Sequence, residues 1–263
     1  MKKILITGAN SYIGVSFEKY MSKWPDQYQV DTVDMVDGSW REKSFAGYDA
    51  VFHVAGIAHI KETEENAHLY YDINRDLAVE TAKKAKADGV GQFVFLSSMS
   101  VYGIEEGAID LQTVPQPKSN YGKSKLQAEE SMKELADAGF AIATLRPPMV
   151  YGDGCKGNYQ ALVKFAKKLP FFPAYQNKRS MIHIDKLSQT VKQLVDEKAE
   201  GLFLPQDDQY VCTCDMVASI AAGMGKKMKL LKVLNPAAAL ARRFTGMGKK
   251  AFGDLYYDGP MSE

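Results

Sequence analysis

The chain has 263 residues, of which 46% are hydrophobic and 25% charged, and its net charge is +1. This length and composition are typical of a globular protein with a substantial core, and the near-zero charge gives no electrostatic case for nucleic acid. No stretch approaches the roughly 20 apolar residues of a membrane span. The three cysteines, Cys155, Cys212 and Cys214, lack disulfide-framework or zinc spacing, which predicts reduced thiols, no metal site and a cytoplasmic protein.

Short apolar runs alternate with longer helical patterns through the first part of the chain. Buried strands are predicted at Lys3–Thr7, Gln29–Asp34, Ala50–Ala55, Gln92–Ser97 and Ala141–Arg146, and helices over 12–24, 63–88 and 119–138. Near-continuous apolar strands separated by helices predict an α/β fold, a doubly wound parallel sheet covered on both faces. Between Asp34 and Ala50 there is room only for a short turn around Trp40 and Phe45, so one crossover is predicted to be trimmed.

After Arg146 the pattern changes to Pro, Gly and short elements. Helices are predicted near 158–168, 185–198 and 214–224, with strands at Met181–Ile184 and Gly201–Leu204. We therefore expect a main sheet domain over 1–150. A small α/β part over 151–263 is expected to pack on its ligand edge within one compact unit.

The segment from Ile4 to Gly14 is a strand, a tight glycine turn and a helix start. Such a turn aims the amides of a helix N-terminus at an anion, typically a pyrophosphate, which makes the sheet one of Rossmann type. The second strand ends at Asp34, where a carboxylate can accept hydrogen bonds from an adenosine ribose; Asp31 and Asp37 are nearby alternatives. That carboxylate would repel a 2′-phosphate and no arginine follows immediately, so NAD is favoured over NADP.

Tyr121 is followed one helical turn later by Lys125. On a helix these side chains lie on one face, and an ammonium beside a phenol is expected to lower its pKa from about 10 toward neutrality. A tyrosine tuned in this way can act as a general acid or base. Tyr/Lys pairs at this spacing are also common on solvent-exposed helices. Whether Tyr121 and Lys125 are functional therefore depends on the motifs in the rest of the chain.

Several segments, in order, resemble motifs of the extended short-chain dehydrogenase/reductases, in particular nucleotide-sugar epimerases and dehydratases. The resemblance covers Met1 to about Tyr257. The segments are Thr7–Gly14, similar to TGxxGxxG; Asp49–Gly56, like the fourth-strand signature; Leu96–Gly103, like SSxxVYG; Tyr121 to Lys125, matching YxxxK; Leu145–Gly152, like RPxxVYG; and Arg179–Asp185, similar to R-x-F-I-H-V-D. Asn74 matches the asparagine of the family's fourth helix.

The resemblance implies catalytic roles for Ser98, Tyr121 and Lys125. Tyr121 would exchange a proton with a sugar hydroxyl at C4, Lys125 would assist it and bind the nicotinamide ribose, and Ser98 would hold the C4 oxygen. The implied NAD-binding residues are Gly8, Asn10, Ser11, Tyr12, Ile13, Gly14, Asp34, Met35, Trp40, Val54, Ala55, Gly56, Asn74, Pro147 and Val150. Ser100, Asn158 and Arg179 are the implied substrate contacts, with a helix N-cap as the alternative for Asn158 and a surface salt bridge for Arg179.

The chain departs from the family pattern in ways that bear on the site. Ser11 replaces the middle glycine of the phosphate loop and adds a side chain where the pyrophosphate should approach. The short 35–49 segment alters the adenine pocket, where Trp40 either stacks on the base or is plain core. Met149 stands where galactose epimerases carry an asparagine, and the C-terminal part is shorter than in the larger epimerases.

These motifs predict an NAD-dependent 4-epimerase acting on a UDP-hexose or UDP-N-acetylhexosamine, for surface polysaccharide. The alternatives are an NAD(P)H-dependent 4-keto-sugar reductase and, in another class, a non-catalytic NAD(P)-binding regulator. A dehydratase is disfavoured because Met99-Ser100 replaces the Asp-Glu pair expected after the catalytic serine. Family members often form homodimers through helices that correspond here to 63–88 and 119–138.

Two further patterns have structural interpretations at this stage. His53 and His183 lie inside apolar strand patterns, which favours core histidines over catalytic ones. Asn235–Arg243 predicts a small helix with a basic end, followed by Lys249-Lys250. It could approach a membrane that carries lipid-linked sugars, although a solvated cationic face is more common.

Overall fold

The computed structural model describes residues 1–58, 60 and 62–259. The first half of the chain forms β1 (Lys2–Thr7), α1 (Tyr12–Met21), β2 (Tyr28–Val33), β3 (Ala50–His53), α2 (Ala67–Tyr71), α3 (Leu77–Ala87), β4 (Gln92–Leu96), β5 (Gly107–Ile109) and α4 (Asn120–Lys133). The second half forms β6 (Ala141–Leu145), β7 (Met149–Tyr151), α5 (Asn158–Lys168), β8 (Phe171–Pro173), β9 (Met181–His183), α6 (Ile184–Glu197), β10 (Gly201–Phe203), α7 (Thr213–Gly223), β11 (Lys229–Leu231), α8 (Asn235–Phe244), α9 (Gly246–Phe252) and β12 (Leu255–Tyr257).

Six parallel strands form the main sheet in the order β10-β6-β4-β3-β1-β2. Strand β1 is the second strand from one edge, with Ile6 paired to Phe52 of β3 on one side and to Thr32 of β2 on the other. Because the strand order reverses beside β1, the carboxyl ends of β1 and its neighbours open a crevice where such sheets bind ligands. The predicted Rossmann-type doubly wound sheet is confirmed.

Alternate residues of the central strands enter two separate cores. Leu5 packs with Val51 and with the small residues of α3 and α4, whereas Ile4 and Ile6 pack with α1 and α6. Because successive strand side chains point to opposite faces, an all-apolar strand has to be covered on both sides. This is why Ile4, Leu5 and Ile6 are all buried.

Most of the predicted strands and helices are present in the structure, and several are shorter than predicted. Strand β3 ends at His53, because the amides of Val54 and Ala55 both turn onto the Thr7 carbonyl, at 3.1 and 2.9 Å. The helix predicted over 63–88 begins at Ala67 and is interrupted by a π-helical turn at Asp72–Asp76. The trimmed crossover contains only a short 3₁₀ turn at Ser39–Arg41.

The chain after residue 150 contributes to both parts of the molecule. Helix α6 packs in the core beside α1, and β10 extends the main sheet next to β6. Strand β7 pairs with β9 and β8 with β11 around a core centred on α5 and α7, whereas β12 pairs with β5 at a separate small core that contains Ile109 and Tyr257. Among the helices of the described residues, none is both long and apolar enough to cross a membrane.

Candidate active site

A cavity of about 460 Å³ lies between the carboxyl ends of the main strands and the C-terminal part. Its wall brings together many of the predicted site residues, namely Ser11, Tyr12, Ile13, Val54, Gly56, Ser98, Ser100, Tyr121, Lys125, Pro147, Val150, Asn158 and Arg179. The remaining predicted residues do not line this wall: Gly8, Asn10 and Ala55 lie in the loops after β1 and β3, Gly14 in the first turn of α1 and Asn74 in the π-helical turn, whereas Asp34, Met35 and Trp40 follow β2.

Ser98, Tyr121 and Lys125 converge from two elements. Tyr121 is the second residue of α4, whose N-terminus is capped by Ser119 accepting the Gly122 amide at 3.1 Å, and Lys125 is one turn further. Ser98 follows β4, and its hydroxyl accepts the Ser100 amide at 3.1 Å. The Ser98 and Ser100 hydroxyl oxygens are also 3.1 Å apart. The arrangement places two hydroxyls beside one phenol on the cavity wall.

The electrostatic environment of Tyr121 differs from the prediction. Burial raises the pKa of Tyr121 above its ordinary value, and the hydrogen bond with Ser98 acts in the opposite direction. The Lys125 ammonium instead donates to the Leu96 carbonyl at 2.9 Å and lies 4.7 Å from the centre of the Phe95 ring. The expected lowering of the Tyr121 pKa by Lys125 is therefore wrong for this geometry, because the lysine bends toward the end of β4.

Lys125 itself has a perturbed titration. Burial lowers the pKa of Lys125 to about 8, and the charge of Glu129, one turn further along α4, opposes this effect. A pKa near 8 leaves the ammonium mostly protonated at neutral pH, but within reach of deprotonation in mild alkali. The site therefore holds a titratable cation, which can hydrogen-bond and also polarise the hydroxyl of a bound ligand.

A buried ion pair lies directly behind Ser98, Tyr121 and Lys125. The Glu129 carboxylate accepts from Nε of Arg146 at 3.2 and 3.1 Å and from Nη2 at 2.5 Å, and it also accepts the Ser97 hydroxyl. Arg146 donates to the Tyr102 hydroxyl at 2.9 Å, and its carbonyl accepts the Tyr257 hydroxyl at 2.5 Å. This network joins α4 to the residue before Ser98, to the end of β6 and to β12.

The glycine turn after β1 has the geometry of an anion-binding loop. Gly8 has φ +113°, and a Cβ there would lie 2.9 Å from the Ala55 nitrogen. Gly14 has no space for a side chain either, since a Cβ would lie 2.6 Å from the Ser11 hydroxyl oxygen. Asn10 also adopts a positive φ, of 64°. The backbone is held close to β3 here, as a pyrophosphate cradle requires.

The extra side chain of Ser11 has a specific role in this turn. Ser11 is the N-cap of α1, and its hydroxyl accepts the Gly14 amide at 3.1 Å. A capping serine satisfies one of the free amides at the helix N-terminus. The substitution of serine for the usual glycine is therefore accommodated by capping, while Ser11 still lines the cavity.

The loop after β3 is fastened by Asn74. This side chain is buried in the π-helical turn, accepts the Ile57 amide at 2.8 Å and donates to the Ile57 carbonyl at 2.9 Å. A Cβ on Gly56 would lie 2.7 Å from the Asn74 side-chain oxygen. Asn74 thus positions the Gly56–Ile57 backbone at the cavity and does not line it.

A second, more open cavity of about 430 Å³ lies beyond the end of β2, on the adenine side predicted from the glycine turn. Met35 lines it, whereas the Asp34 carboxylate accepts the Val36 amide at 2.9 Å nearby. The charged side chains on its wall are Asp37, Arg41, Asp72, Asp76 and Glu80, with Arg41 held by Glu80 at 2.5 and 2.6 Å. Carboxylates therefore outnumber the one arginine, which is already paired.

The predicted adenine contact of Trp40 is corrected by the structure. Trp40 is fully buried, packs 6.4 Å from Phe45 centre to centre, and belongs to the core beneath α3. Arg41 covers its ring from outside at 4.7 Å. The indole is thus core, because the 3₁₀ turn directs it inward.

The predicted substrate residues occupy the side of the cavity formed by the C-terminal part. Asn158 is the first residue of α5, and Gly157 is the N-cap, so the N-cap alternative for Asn158 is wrong. Arg179 donates to the Gly253 carbonyl at 3.0 Å, and among the described residues it forms no salt bridge. Burial lowers the pKa of Arg179, opposed by Asp254 and Glu106, and leaves a desolvated guanidinium on the wall.

Other wall residues were not predicted as site residues. They are Ile57, Ala58, Leu96, Ser97, Met99, Ile104, Pro148, Met149, Cys155, Lys156, Ser180 and Leu255. Several directly follow or precede predicted residues. Ile57, Pro148 and Ser180 could therefore have been predicted from their position next to a predicted site residue. Leu255 offered no such signal, because β12 reaches the cavity through its pairing with β5.

The two histidines that lie in apolar strand patterns differ in burial. His53 is fully buried, with Nδ1 2.7 Å from the Thr7 hydroxyl, and burial lowers the pKa of His53 to about 3. The prediction of a core histidine is confirmed there. It is wrong for His183, whose side chain is 41% exposed and caps α6 by accepting the Asp185 amide at 3.2 Å.

One group outside the cavity has the composition of a metal site, although none was predicted. Ligand atoms of Cys212, Cys214 and Asp215 lie within 4.8 Å of one another, with the two sulfurs 3.1 Å apart. Burial raises the pKa of the Cys214 thiol, which opposes formation of the thiolate that binds metals. All three cysteines of the chain are free thiols.

The cavity residues fit a nicotinamide dinucleotide. The turn from Gly8 to Gly14 packs too tightly for a Cβ at either glycine, and the buried Tyr12 hydroxyl beside it has no hydrogen-bond partner among the described residues. Ser98, Tyr121 and Lys125 lie at the other end of the same cavity. The chain thus has the architecture of a dinucleotide-dependent enzyme with a tyrosine–lysine–serine centre.

The sequence profile of the NAD dependent epimerase/dehydratase family matches residues 4–201, and the chain belongs to that family. It is therefore an NAD-dependent epimerase or a closely related oxidoreductase. It is similar to the UDP-glucose 4-epimerase of Vibrio cholerae, with 30% identity over 86% of this chain and 76% of that protein. It also resembles the N-acetyl-alpha-D-glucosaminyl-diphospho-ditrans,octacis-undecaprenol 4-epimerase of Escherichia coli O157:H7, with 25% identity over 96% of this chain and 82% of that protein.

Solved structures share the fold. A UDP-glucuronic acid 4-epimerase from Bacillus cereus in complex with NAD has a TM-score of 0.71 and 18% identity, covering 97% of this chain and 89% of that one. A dTDP-4-dehydrorhamnose reductase from Clostridium acetobutylicum has a TM-score of 0.69 and 22% identity, covering 95% and 98%.

Proposed function

We propose that the protein is an NAD-dependent 4-epimerase of a nucleotide sugar, acting on a UDP-hexose or UDP-N-acetylhexosamine. The observation that carries this proposal is one cavity with Ser98, Tyr121 and Lys125 at one end and the turn around Ser11 at the other. The similarity to 4-epimerases over most of the chain supports it.

The residues have separable roles in this reaction. The phenolate form of Tyr121 would take up the proton of the C4 hydroxyl, and Ser98, which hydrogen-bonds to Tyr121, would orient that hydroxyl. The Lys125 ammonium stabilises negative charge on the reacting oxygens and binds the nicotinamide ribose. NAD, when bound, supplies the hydride acceptor and donor at C4. The 4-keto sugar then turns over within the cavity, and Tyr121 returns the proton.

The substrate diphosphate is assigned to the Arg179 side of the cavity. A guanidinium forms charge-assisted hydrogen bonds with phosphate oxygens, and its partial desolvation strengthens them. Ser100 and Asn158 are proposed to contact the sugar. The Met149 side chain lies on the same wall. We propose that it limits which sugar substituents, and which C4 configurations, fit in the cavity as the 4-keto sugar rotates.

NAD is proposed in preference to NADP because of charge. The 2′-phosphate of NADP would lie near Asp34 and the second cavity, whose wall carries four carboxylates and one arginine already paired with Glu80. Like charges would oppose the phosphate. A homodimer through α2, α3 and α4 and a cytoplasmic role in surface-polysaccharide synthesis remain predictions.

A 4-keto-sugar reductase is the second candidate. A specific observation favours it: the raised pKa of Tyr121 keeps the phenol protonated near neutral pH, which is the form that donates a proton to a carbonyl. A reductase would use the same three residues but consume one reduced cofactor per product.

The test uses the purified full chain. Any bound nucleotide is released and identified, and the protein is incubated with UDP-glucose, UDP-galactose and their N-acetyl counterparts, with and without reduced cofactor. C4 inversion without net cofactor turnover is expected. Stoichiometric cofactor oxidation on a 4-keto sugar would replace epimerase by reductase, and inactivity across the panel would favour a regulator.

The catalytic assignment is tested with Tyr121→Phe. This variant is expected to lose activity and retain cofactor binding. Tyr48→Phe is a matched control, because the Tyr48 hydroxyl donates to Asp31 at 2.9 Å outside the cavity. Retention of full activity by Tyr121→Phe would contradict the assignment.

A further inference from the structure

Charge is unevenly distributed along the sequence near its C-terminal end. Between Asp215 and Asp254 there is no acidic residue, although the whole chain has nearly equal numbers of acidic and basic residues. The basic residues in that interval are Lys226, Lys227, Lys229, Lys232, Arg242, Arg243, Lys249 and Lys250. The interval covers the end of α7, β11, α8 and α9, so it forms one strongly cationic region.

Large apolar side chains in the same region face solvent. Val233, Leu240, Phe244 and Met247 are 79, 61, 69 and 74% exposed. Leu240 and Phe244 are one turn apart on the same face of α8, Val233 lies on the 3₁₀ turn Lys232–Leu234 just before this helix, and Met247 follows on α9. Ala238, which lies between them on α8, is buried against the protein. The outer face of α8, together with Val233 before it and Met247 after it, is therefore an apolar stripe that no described residue covers.

Seven of these eight cations divide into two sets, and the eighth, Lys226, donates to the Lys167 carbonyl. Arg242 pairs inward with Glu106 at 3.0 Å and Lys249 with Glu105 at 3.7 Å, which fastens α8 and α9 to the body. In contrast, Lys227, Lys229, Lys232, Arg243 and Lys250 are exposed and form no ion pair within the described part of the chain. Lys232 and Arg243 directly precede Val233 and Phe244 in the chain, so exposed cations adjoin the apolar stripe near both ends of α8. We call the stripe and these five cations the basic apolar face.

The face continues onto the neighbouring sheet. Lys229 of β11 is in register with Phe171 of β8, and both are exposed. It also adjoins the cavity, because α9 is followed at once by Gly253, whose carbonyl accepts from Arg179 at 3.0 Å. Leu255, two residues on, lines the cavity wall.

We propose that the basic apolar face seats the protein on an anionic lipid bilayer. Apolar side chains on one helix face enter the boundary between headgroups and acyl chains, and bordering lysines and arginines are attracted to anionic headgroups. A second copy of the chain meeting this face symmetrically would bring like charges together, which is unfavourable. A nucleic acid would use the cations but leave the Leu240–Phe244 stripe exposed. The bilayer accounts for both features together.

Vesicle co-sedimentation of the full chain tests this, and it needs no substrate. The protein is expected to bind phosphatidylglycerol/phosphatidylcholine vesicles at least about tenfold more tightly than pure phosphatidylcholine vesicles, and less tightly at high salt. The variant Leu240→Ser/Phe244→Ser is expected to lose this binding, and so is Lys229→Gln/Lys232→Gln/Arg243→Gln. Val114→Ser is the matched control, since Val114 is equally exposed (69%) outside the face.

Thermal unfolding of each variant confirms that it folds, and activity toward a free sugar nucleotide should be unchanged. Failure of the wild-type chain to bind anionic vesicles, or equal binding by the Ser variant, overturns the proposal. Sedimentation velocity tests whether a second copy of the chain binds the basic apolar face instead. If the wild type is a dimer, the Ser variant is a monomer and neither binds vesicles, the face is a dimer interface and the proposal is overturned. Tighter binding of an RNA homopolymer than of vesicles, sensitive only to the Gln variant, would also overturn it.

Discussion

The substitution Glu129→Gln tests whether the buried ion pair behind the site positions the catalytic residues. The side chains of Glu129 and Arg146 are only 8 and 9% exposed. Glutamine keeps the shape of glutamate but leaves the Arg146 guanidinium buried without a counter-charge. Removing one partner of a buried ion pair typically destabilises a protein by about 3–5 kcal/mol. For a domain of this size that corresponds to a fall in Tm of about 6–20 °C.

The same substitution has an electrostatic effect on the catalytic lysine. Glu129 raises the pKa of Lys125, so its removal should lower that pKa further below about 8. Because Lys125 would then lose its proton at lower pH, the alkaline limb of the kcat/KM profile should move to lower pH. A residue with a purely structural role would change Tm without moving this limb.

Glu130→Gln is the matched control, because Glu130 is exposed on the next position of α4. It should change stability by less than about 0.5 kcal/mol and leave the pH profile in place. The double variant Glu129→Leu/Arg146→Met should recover much of the lost stability, since a buried pair replaced by apolar residues is often neutral. If Glu129→Gln unfolds within 1 °C of the wild type and keeps its pH profile, the positioning role is refuted.

Three other predictions follow from named contacts. Burial holds the folded-state pKa of His53 at about 3, below its ordinary value of about 6.5. The free energy of unfolding should therefore keep its full value above pH 6.5 and fall by about 1.4 kcal/mol per pH unit as the pH drops toward 3. In denaturant unfolding, His53→Asn should lack this pH dependence, whereas His68→Gln, at an exposed histidine, should retain it. Trp40→Phe should lower stability by about 1–3 kcal/mol through lost core packing with unchanged NAD affinity in calorimetry, and a selective loss of affinity would restore the stacking role. Arg179→Gln should raise KM for a sugar nucleotide at least about tenfold with a smaller change in kcat; an unchanged KM would remove Arg179 from the substrate site.

The sequence predicted those features that depend on local pattern. Four of the five predicted strands were recognisable because they are largely buried on both faces and therefore mostly apolar, as Ile4, Leu5 and Ile6 of β1 show, whereas β2 at the sheet edge is mostly half-buried. The helix that carries Tyr121 and Lys125 follows from spacing and from the capping serine at 119. These are short-range effects, and the fold they predicted is the one observed.

Features that depend on distant parts of the chain could not be predicted. The direction of Trp40 is set by a 3₁₀ turn that no apolar period marks, and the Lys125 ammonium is drawn to a carbonyl at the end of β4. The Glu129–Arg146 pair joins a helix to a strand end through contacts with Ser97 and Tyr257. Each outcome was decided by tertiary contacts that residue spacing does not encode.

The central claim, reversible oxidation at C4 with Tyr121 as the proton-transfer group, is tested most directly with a UDP-hexose deuterated at C4. The purified chain should interconvert the two C4 epimers, and mass spectrometry should find the deuterium retained at C4 of the product, with none gained from D₂O at that carbon. Tyr121→Phe should abolish this conversion. Loss of the C4 label to solvent, or inversion at undiminished rate in Tyr121→Phe, would contradict the mechanism.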